Sequence, residues 1–235
     1  MIKKSFLLRL VLDAIAASSL LVGIAYYWLG NVTHELIGTG MFLLVLAHNF
    51  FNRRWWGHVN KAPREARRWF DVALTMSLLA AMLALMLTSG LISQTVLSFL
   101  APTGGVTTRQ IHTLAAYWVV ILVAIHLGVR WKRVMYAARG VFKLAEENTI
   151  RTATLRVVAT AIAGYGVQSS FVMGVASKLA MQMSLEWWDF EASSTGFFLH
   201  WISILGLYVF MTHYALTCLH ALQRRVRVSV AHSKP

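Results

Sequence analysis

Two apolar stretches of this chain begin and end in histidine. HELIGTGMFLLVLAH runs from His34 to His48, and HTLAAYWVVILVAIH runs from His112 to His126. An α-helix turns about 100° and rises about 1.5 Å per residue, so this shared spacing amounts to nearly four turns and about 21 Å. Both histidines of a stretch therefore leave nearly the same helix face, one near each side of a membrane. An ionisable side chain inside a bilayer is costly and marks a functional position. Two such helices side by side offer two opposed imidazole pairs at two depths, His34 with His112 and His48 with His126. Imidazole is a ligand for haem iron, and two imidazoles at one level can hold an iron from both sides. The spacing thus predicts two haem b sites. A single histidine near a helix end is often a snorkelling or hydrogen-bonding residue. Identical spacing on two helices is not something packing requires.

Composition points to a membrane protein. Of the 235 residues 57% are hydrophobic and 13% charged, where a soluble domain carries about 25% charge, and the mean hydropathy is +0.59. A span takes ~20 apolar residues, so the length allows about six. The formal net charge of +13 does not indicate nucleic acid, because Lys and Arg sit in the gaps between apolar runs, where they orient membrane helices. The single cysteine, Cys218, excludes an internal disulfide, a cysteine-rich iron–sulfur site and covalent C-x-x-C-H haem attachment. No nucleotide, zinc-protease or hydrolase motif is present, and no soluble stretch is long enough for a flavin or nicotinamide domain.

Taken in order, the chain predicts an all-α bundle of six transmembrane helices in a single integral membrane domain spanning 1–235. The spans are expected at about 10–29, 33–52, 70–92, 108–132, 153–176 and 196–222. The basic, apolar start is read as a retained first helix rather than a cleaved signal, with Tyr26, Tyr27 and Trp28 at the far interface. Asn31 and Thr33 are candidate N-caps for the second helix, and Glu35 suits its first turn. The gap NRRWWGHVNKAPREARRW, the segment after RWKR with its Glu146–Glu147 patch, and the tail QRRVRVSVAHSKP are basic and expected inside. The gap with Pro102, Gly104 and Gly105, and the segment bearing Glu186, Trp187, Trp188, Asp189 and Glu191, are expected outside. Both termini are then cytoplasmic. The fifth span is rich in Ala, Gly and Ser, which signals tight helix packing. A weak repeat of three hairpins emerges, each a plain helix followed by a histidine-bearing one: His34/His48, His112/His126 and His200/His213.

Around the histidines, Gly38, Gly40, Ala115, Ala116 and Gly128 are candidates to line an apolar slot for a macrocycle, although small residues also serve helix packing. Arg109, one turn before His112, is a candidate for the propionates of an outer haem. Arg53, Arg54, Arg130 and Lys132 could serve an inner one, or simply set topology. His200 and His213 are off-phase on a regular helix, whereas His213 and His220 share a face but lie only ~10.5 Å apart. They stand as candidates for a third haem, a hydrogen-bonding role or a quinone site. His58 and His232 are expected in loops.

The strings HELIGTGMFLLVLAHNFFNRRWW, LISQTVLSFL and RQIHTLAAYWVVILVAIHLGVRW resemble the flavinylation-associated cytochromes, the DUF4405 family. These are bacterial inner-membrane proteins related in haem arrangement to ferric-reductase-like and cytochrome b domains. The resemblance covers about residues 5–135 and includes THY at 212–214. It implies that His34, His48, His112 and His126 are haem ligands, and that electrons cross the membrane, often towards extracytoplasmic flavin-bearing partners. Two positions depart from the family pattern: Gln94 and Arg130 stand where histidine is common.

The expectation is therefore a di-haem b-type cytochrome, an electron-transfer subunit with a redox partner protein, a possible quinone, and lipid around it. The competing class is a non-redox transporter or assembly scaffold with structural histidines. A transporter would show charged or broken helices at mid-depth, and the spans read as ionisable at histidine alone.

Overall fold

The computed structural model describes residues 4–59, 66–100, 104–144, 148–182 and 188–232. Pro102, Glu146, Glu147, Glu186 and Trp187 lie outside them. Among the described residues the chain is helical and without strands. The long helices are α1 (Lys4–Gly23), α2 (Tyr26–Phe51), α4 (Ala66–Ile92), α5 (Val106–Val141), α6 (Thr149–Val172) and α8 (Phe190–His232). The short α3 (Arg54–Val59) and α7 (Val175–Leu179), and a 3-10 turn at Ser98–Leu100, lie between them.

Among the described residues five helices are long and apolar enough to cross a membrane: α1, α2, α4, α5 and α8. α6 has 24 residues and is not among the five. Its Thr, Gly, Gln and Ser residues keep it less apolar than its neighbours.

Helix ends depart from the expected spans. The first break comes at Ile24–Ala25, not near residue 30, so Tyr26, Tyr27 and Trp28 begin α2. Gly30 then interrupts α2 at φ 72°, ψ 174°, a conformation essentially restricted to glycine. The 26–29 turn is thereby set off from the long part of the helix. Neither Asn31 nor Thr33 caps α2: the N-cap is Ala25, without a side-chain bond, and the Asn31 amide donates instead to Glu35 Oε1 at 2.8 Å. The RWKR string does not end the fourth span, because α5 continues to Val141, and the basic tail prolongs α8 to His232. Both segments lack proline, so nothing in the backbone stops the helix. His58 and His232 accordingly fall within α3 and α8, not in loops.

The helices pair chiefly as α1 with α2, α4 with α5 and α6 with α8, and α5 also packs along α8. These are the three hairpins of the sequence repeat. Contacts give their directions. Gly23 meets His34 and Asp13 meets His48, so α1 and α2 are antiparallel. Thr88 meets His112 and Asp71 meets Arg130, so α4 and α5 are antiparallel. Gly206 meets Ile162 and Ser169 meets His200, so α6 and α8 are antiparallel. Tyr117 stacks on Trp201 while Gly128 meets Thr212, so α5 and α8 run parallel.

The core follows α5. Val119, Val120, Ile121 and Ala124 are fully or almost fully buried, with Trp201 and Ile204 of α8 beside them. In contrast, α2 shows a stripe of exposed Val32, Leu36, Leu43, Leu46 and Phe50. These positions share one helix face, the face suited to lipid. His34, Met41 and His48, seven residues apart, occupy the opposite face, and Met41 is the buried residue of this helix.

Candidate functional site

The sequence places His34 and His112 on different hairpins, and the structure brings their rings together. Their centroids are 6.0 Å apart with an interplanar angle of 70°. A metal–imidazole bond is about 2 Å. With each ring centre about 1 Å behind its nitrogen, an ion shared by two opposed imidazoles needs centres about 6 Å apart. Ordinary edge-to-face packing covers the same range, so spacing alone does not single out a metal. Hydrogen bonding fixes which ring nitrogen of each histidine is left free.

His34 Nδ1 lies 2.9 Å from the carbonyl of Gly23, the last residue of α1. A carbonyl only accepts, so Nδ1 carries the proton and donates, which satisfies one of the orphan acceptors at that helix end. The lone pair of His34 is therefore on Nε2. His112 Nδ1 lies 3.0 Å from Thr88 Oγ1. The Thr88 hydroxyl already donates to Ala84 O at 2.6 Å, so it accepts from His112, whose lone pair is likewise on Nε2. Fixing the tautomer through the second ring nitrogen is what holds a metal-binding histidine in place. Tyr26 packs edge-on against His34 at 5.2 Å and restrains its other side.

At the second level, His48 Nδ1 donates to Asp13 Oδ1 at 2.7 Å, and a carboxylate again leaves Nε2 as the acceptor nitrogen. The Asn52 amide lies 3.5 Å from that nitrogen, too long for a good bond, and donates to His48 O at 2.8 Å. His126 lies within electrostatic reach of His48, Arg130, Asp71 and Asp13. Arg130 pairs loosely with Asp71 at 3.9 Å, and the other Asp71 carboxylate oxygen is buried without a hydrogen-bond partner among the described residues. The helices are thus not ionisable at histidine alone: Asp13 in α1 and Asp71 in α4 overturn that reading. Sequence reasoning passed over Asp13, although a lone aspartate in an apolar run is itself a signal.

Between the levels stand Met41 on α2 and Val119 on α5, each seven residues from both histidines of its helix. α2 packs along α1, and its backbone approaches α4 and α5 only marginally. A Cβ built on Gly38, Gly40 or Gly90 would meet nothing within 4 Å. Gly128 differs. Its Cβ would fall 2.7 Å from Thr212 Cβ and 2.9 Å from Val209 O, so it serves the close approach of α5 and α8 and does not line a slot. Ala115 is buried in the core.

The remaining candidates separate. Arg109 is exposed one turn before His112, and its side chain has no partner among the described residues. Arg53 donates to Phe50 O at 3.2 Å and sits over the Phe50 ring. Lys132 lies within electrostatic reach of His213. His200 is held in the α6–α8 interface, with Nδ1 2.8 Å from Ser169 Oγ, its ring stacked on Tyr165 at 5.4 Å and Trp188 edge-on. His213 packs against Tyr214. Among the described residues no second histidine ring packs against either one in the manner of His34 and His112. Among the described residues no three His, Cys, Asp or Glu side chains converge as a metal site. A facing pair of imidazoles falls below that count of three and is a separate kind of candidate.

Comparison with known protein families, with characterised proteins and with solved structures returns no match.

Proposed function

We propose that this chain is a di-haem b-type cytochrome of the bacterial inner membrane. In this reading it is the electron-transfer subunit that relays electrons between a quinol or cytoplasmic donor and an extracytoplasmic acceptor, such as a flavin-bearing partner. The observation that carries the reading is the His34–His112 pair, two rings 6.0 Å apart whose Nδ1 atoms are both committed as donors elsewhere.

Haem bound at such a pair supplies reversible one-electron storage at iron. The chain's own residues do the rest. His34 and His112 offer Nε2 at the outer level, oriented by Gly23 O and Thr88 Oγ1. His48 and His126 stand at the inner level, and Asp13 orients His48. A side chain at Gly38, Gly40 or Gly90 would meet nothing within 4 Å, and the α2 backbone keeps its distance from the α4–α5 pair. Exposed Arg109 is the cation for propionates at the outer surface.

The six-span topology with both termini inside belongs to the same proposal. α5 and α8 run parallel, so if both cross the bilayer the chain must return between them. α6 is the long helix between them, antiparallel to α8, and its 24 residues rise about 36 Å. The basic gaps then all face the cytoplasm. The charged residues Asp13 and Asp71 stand at the inner histidine level and not midway, where Met41 and Val119 lie, which favours haem over an ion pathway.

The test is a reduced-minus-oxidised spectrum of the purified chain with a pyridine haemochrome count. Two haem b per chain are expected. A preparation made with ample haem supply that shows no b-type signal ends the proposal.

A further inference from the structure

We infer that Glu35 is a positioning residue, the strut that sets the separation of the two outer histidines. The inference rests on the proposed His34–His112 haem site and assigns it a residue that touches neither ligand's ring.

α2 barely approaches α4 and α5 through its backbone, yet His34 of α2 must meet His112 of α5 at a defined distance. α2 is carried mainly by α1 and touches α8, so the direct polar link from α2 to the end of α4 bears on that distance. The Glu35 carboxylate makes this link next to His34 in the chain. Across the gap it accepts from Ser93 Oγ at 2.7 Å, Gln94 N at 2.8 Å, Thr95 N at 3.1 Å, Thr95 Oγ1 and Val96 N at 2.8 Å. Asn31 adds a donor from its own helix at 2.8 Å. Ser93 Oγ in turn accepts from Leu97 N at 2.8 Å, which tightens the turn being gripped.

The gripped turn is the end of α4. Ser93 N still donates to Ser89 O at 2.9 Å, so residues 88–93 form one rigid piece. Thr88, on that piece, holds His112 Nδ1. Both outer histidines are thus referenced to the same stretch of α4, His34 through Glu35 and Ser93, His112 through Thr88. At the inner level the corresponding carboxylate, Asp13, ties His48 to α1 and, among the described residues, makes no hydrogen bond to α5. The strut is particular to the outer site. A carboxylate suits the task because it accepts several donors in fixed directions, which an amide cannot match.

The experiment uses the full chain with Glu35→Ala, Glu35→Gln and Ser93→Ala. Haem content and low-spin EPR signals are read for each level, assigned with His112→Ala. In haem-depleted protein, spin labels on Val32→Cys and Phe99→Cys in a Cys218→Ser background report the distance between α2 and the gripped turn. Glu35→Ala is expected to weaken outer haem retention roughly 10–100-fold, shift the outer signal, leave the inner signal unchanged and broaden the label distance. Glu35→Gln and Ser93→Ala are expected to show the same pattern to a lesser degree. An unchanged outer signal with an unchanged label distance in Glu35→Ala overturns the inference. Equal loss at both levels in all three variants also overturns it, since Glu35 would then be a general element of the fold. If the unmutated chain takes up no haem, the functional proposal fails, while the label distance still decides whether Glu35 holds the gap.

Discussion

The two sides of α5 are built on opposite principles. Towards α8 it is closed. Gly128 admits Thr212 to within 2.7 Å of where a Cβ would stand, and the α6–α8 contact beyond is closed in the same way, with Gly206 accommodating Ile162 at 2.5 Å and Gly166 lying against Ser203 O. Towards α2 it is joined through side chains, with Met41 of α2 buried in the same apolar cluster as Val119 of α5 and Leu85 of α4. There the backbones stay apart, Gly38 and Gly40 meet nothing, and polar side chains also make the crossing: His34 with His112, and Glu35 with the end of α4. In lipid no hydrophobic force draws helices together, so small residues and hydrogen bonds do that work. One face of α5 uses the first device to exclude everything, and the other uses the second to hold a separation. A glycine in a membrane helix is therefore not evidence of a slot or of packing until its neighbour is known.

The largest effect that sharpens this contrast is expected at the histidines. His34→Ala or His112→Ala should remove the outer haem completely and leave the inner one. His200→Ala, on the closed side, should leave both, as a haemochrome count would show. Loss of haem from the His200 variant alone would move the site to α6–α8.

Next come the glycines. Gly166→Val forces a side chain into Ser203 O and should cost about 1–3 kcal/mol or more, read as a lower unfolding midpoint in detergent. Gly38→Leu should leave the midpoint of haem-free protein nearly unchanged and yet lower haem content. If Gly38→Leu destabilises the haem-free chain as strongly as Gly166→Val, the two sides are not different in kind.

A smaller effect is expected from Asp13→Asn. The amide no longer draws the His48 proton as a carboxylate does, and inner haem retention should fall roughly 10–100-fold with the outer signal intact. Smallest is Thr88→Val, which removes one hydrogen bond worth about 1 kcal/mol and should shift the outer EPR signal without loss of haem. A shift at the inner level instead would break the assignment of depths.

Much of the fold was legible from residue order. Apolar runs of span length and basic gaps located the long helices, because hydropathy and charge act locally along the chain. The phase of His34 with His48 and of His112 with His126 followed from helix geometry alone; in the structure His34 and His112 face one another, while the His48 side chain stays 39% exposed. Helix ends were less legible. Gly30 and the 24–25 break trade places as boundaries because a positive-φ glycine can interrupt a helix without ending it, and α5 and α8 outrun their apolar stretches because basic residues are good helix formers. Glu35 looked like a favourable charge in a first turn. Its role depends on Ser93–Val96, about sixty residues away, and no local pattern encodes that contact.

Residue order alone therefore set which segments are helices, which faces carry the histidines and how far apart the two levels lie, since these are consequences of a 3.6-residue period and a rise of about 1.5 Å. Which histidine nitrogen is free, which glycines are filled and what holds α2 away from α5 became visible only with the helices assembled. Those properties belong to contacts between helices: Gly23 O on His34, Asp13 on His48 and Thr88 on His112 within hairpins, and Glu35 on the turn that ends α4 between two of them.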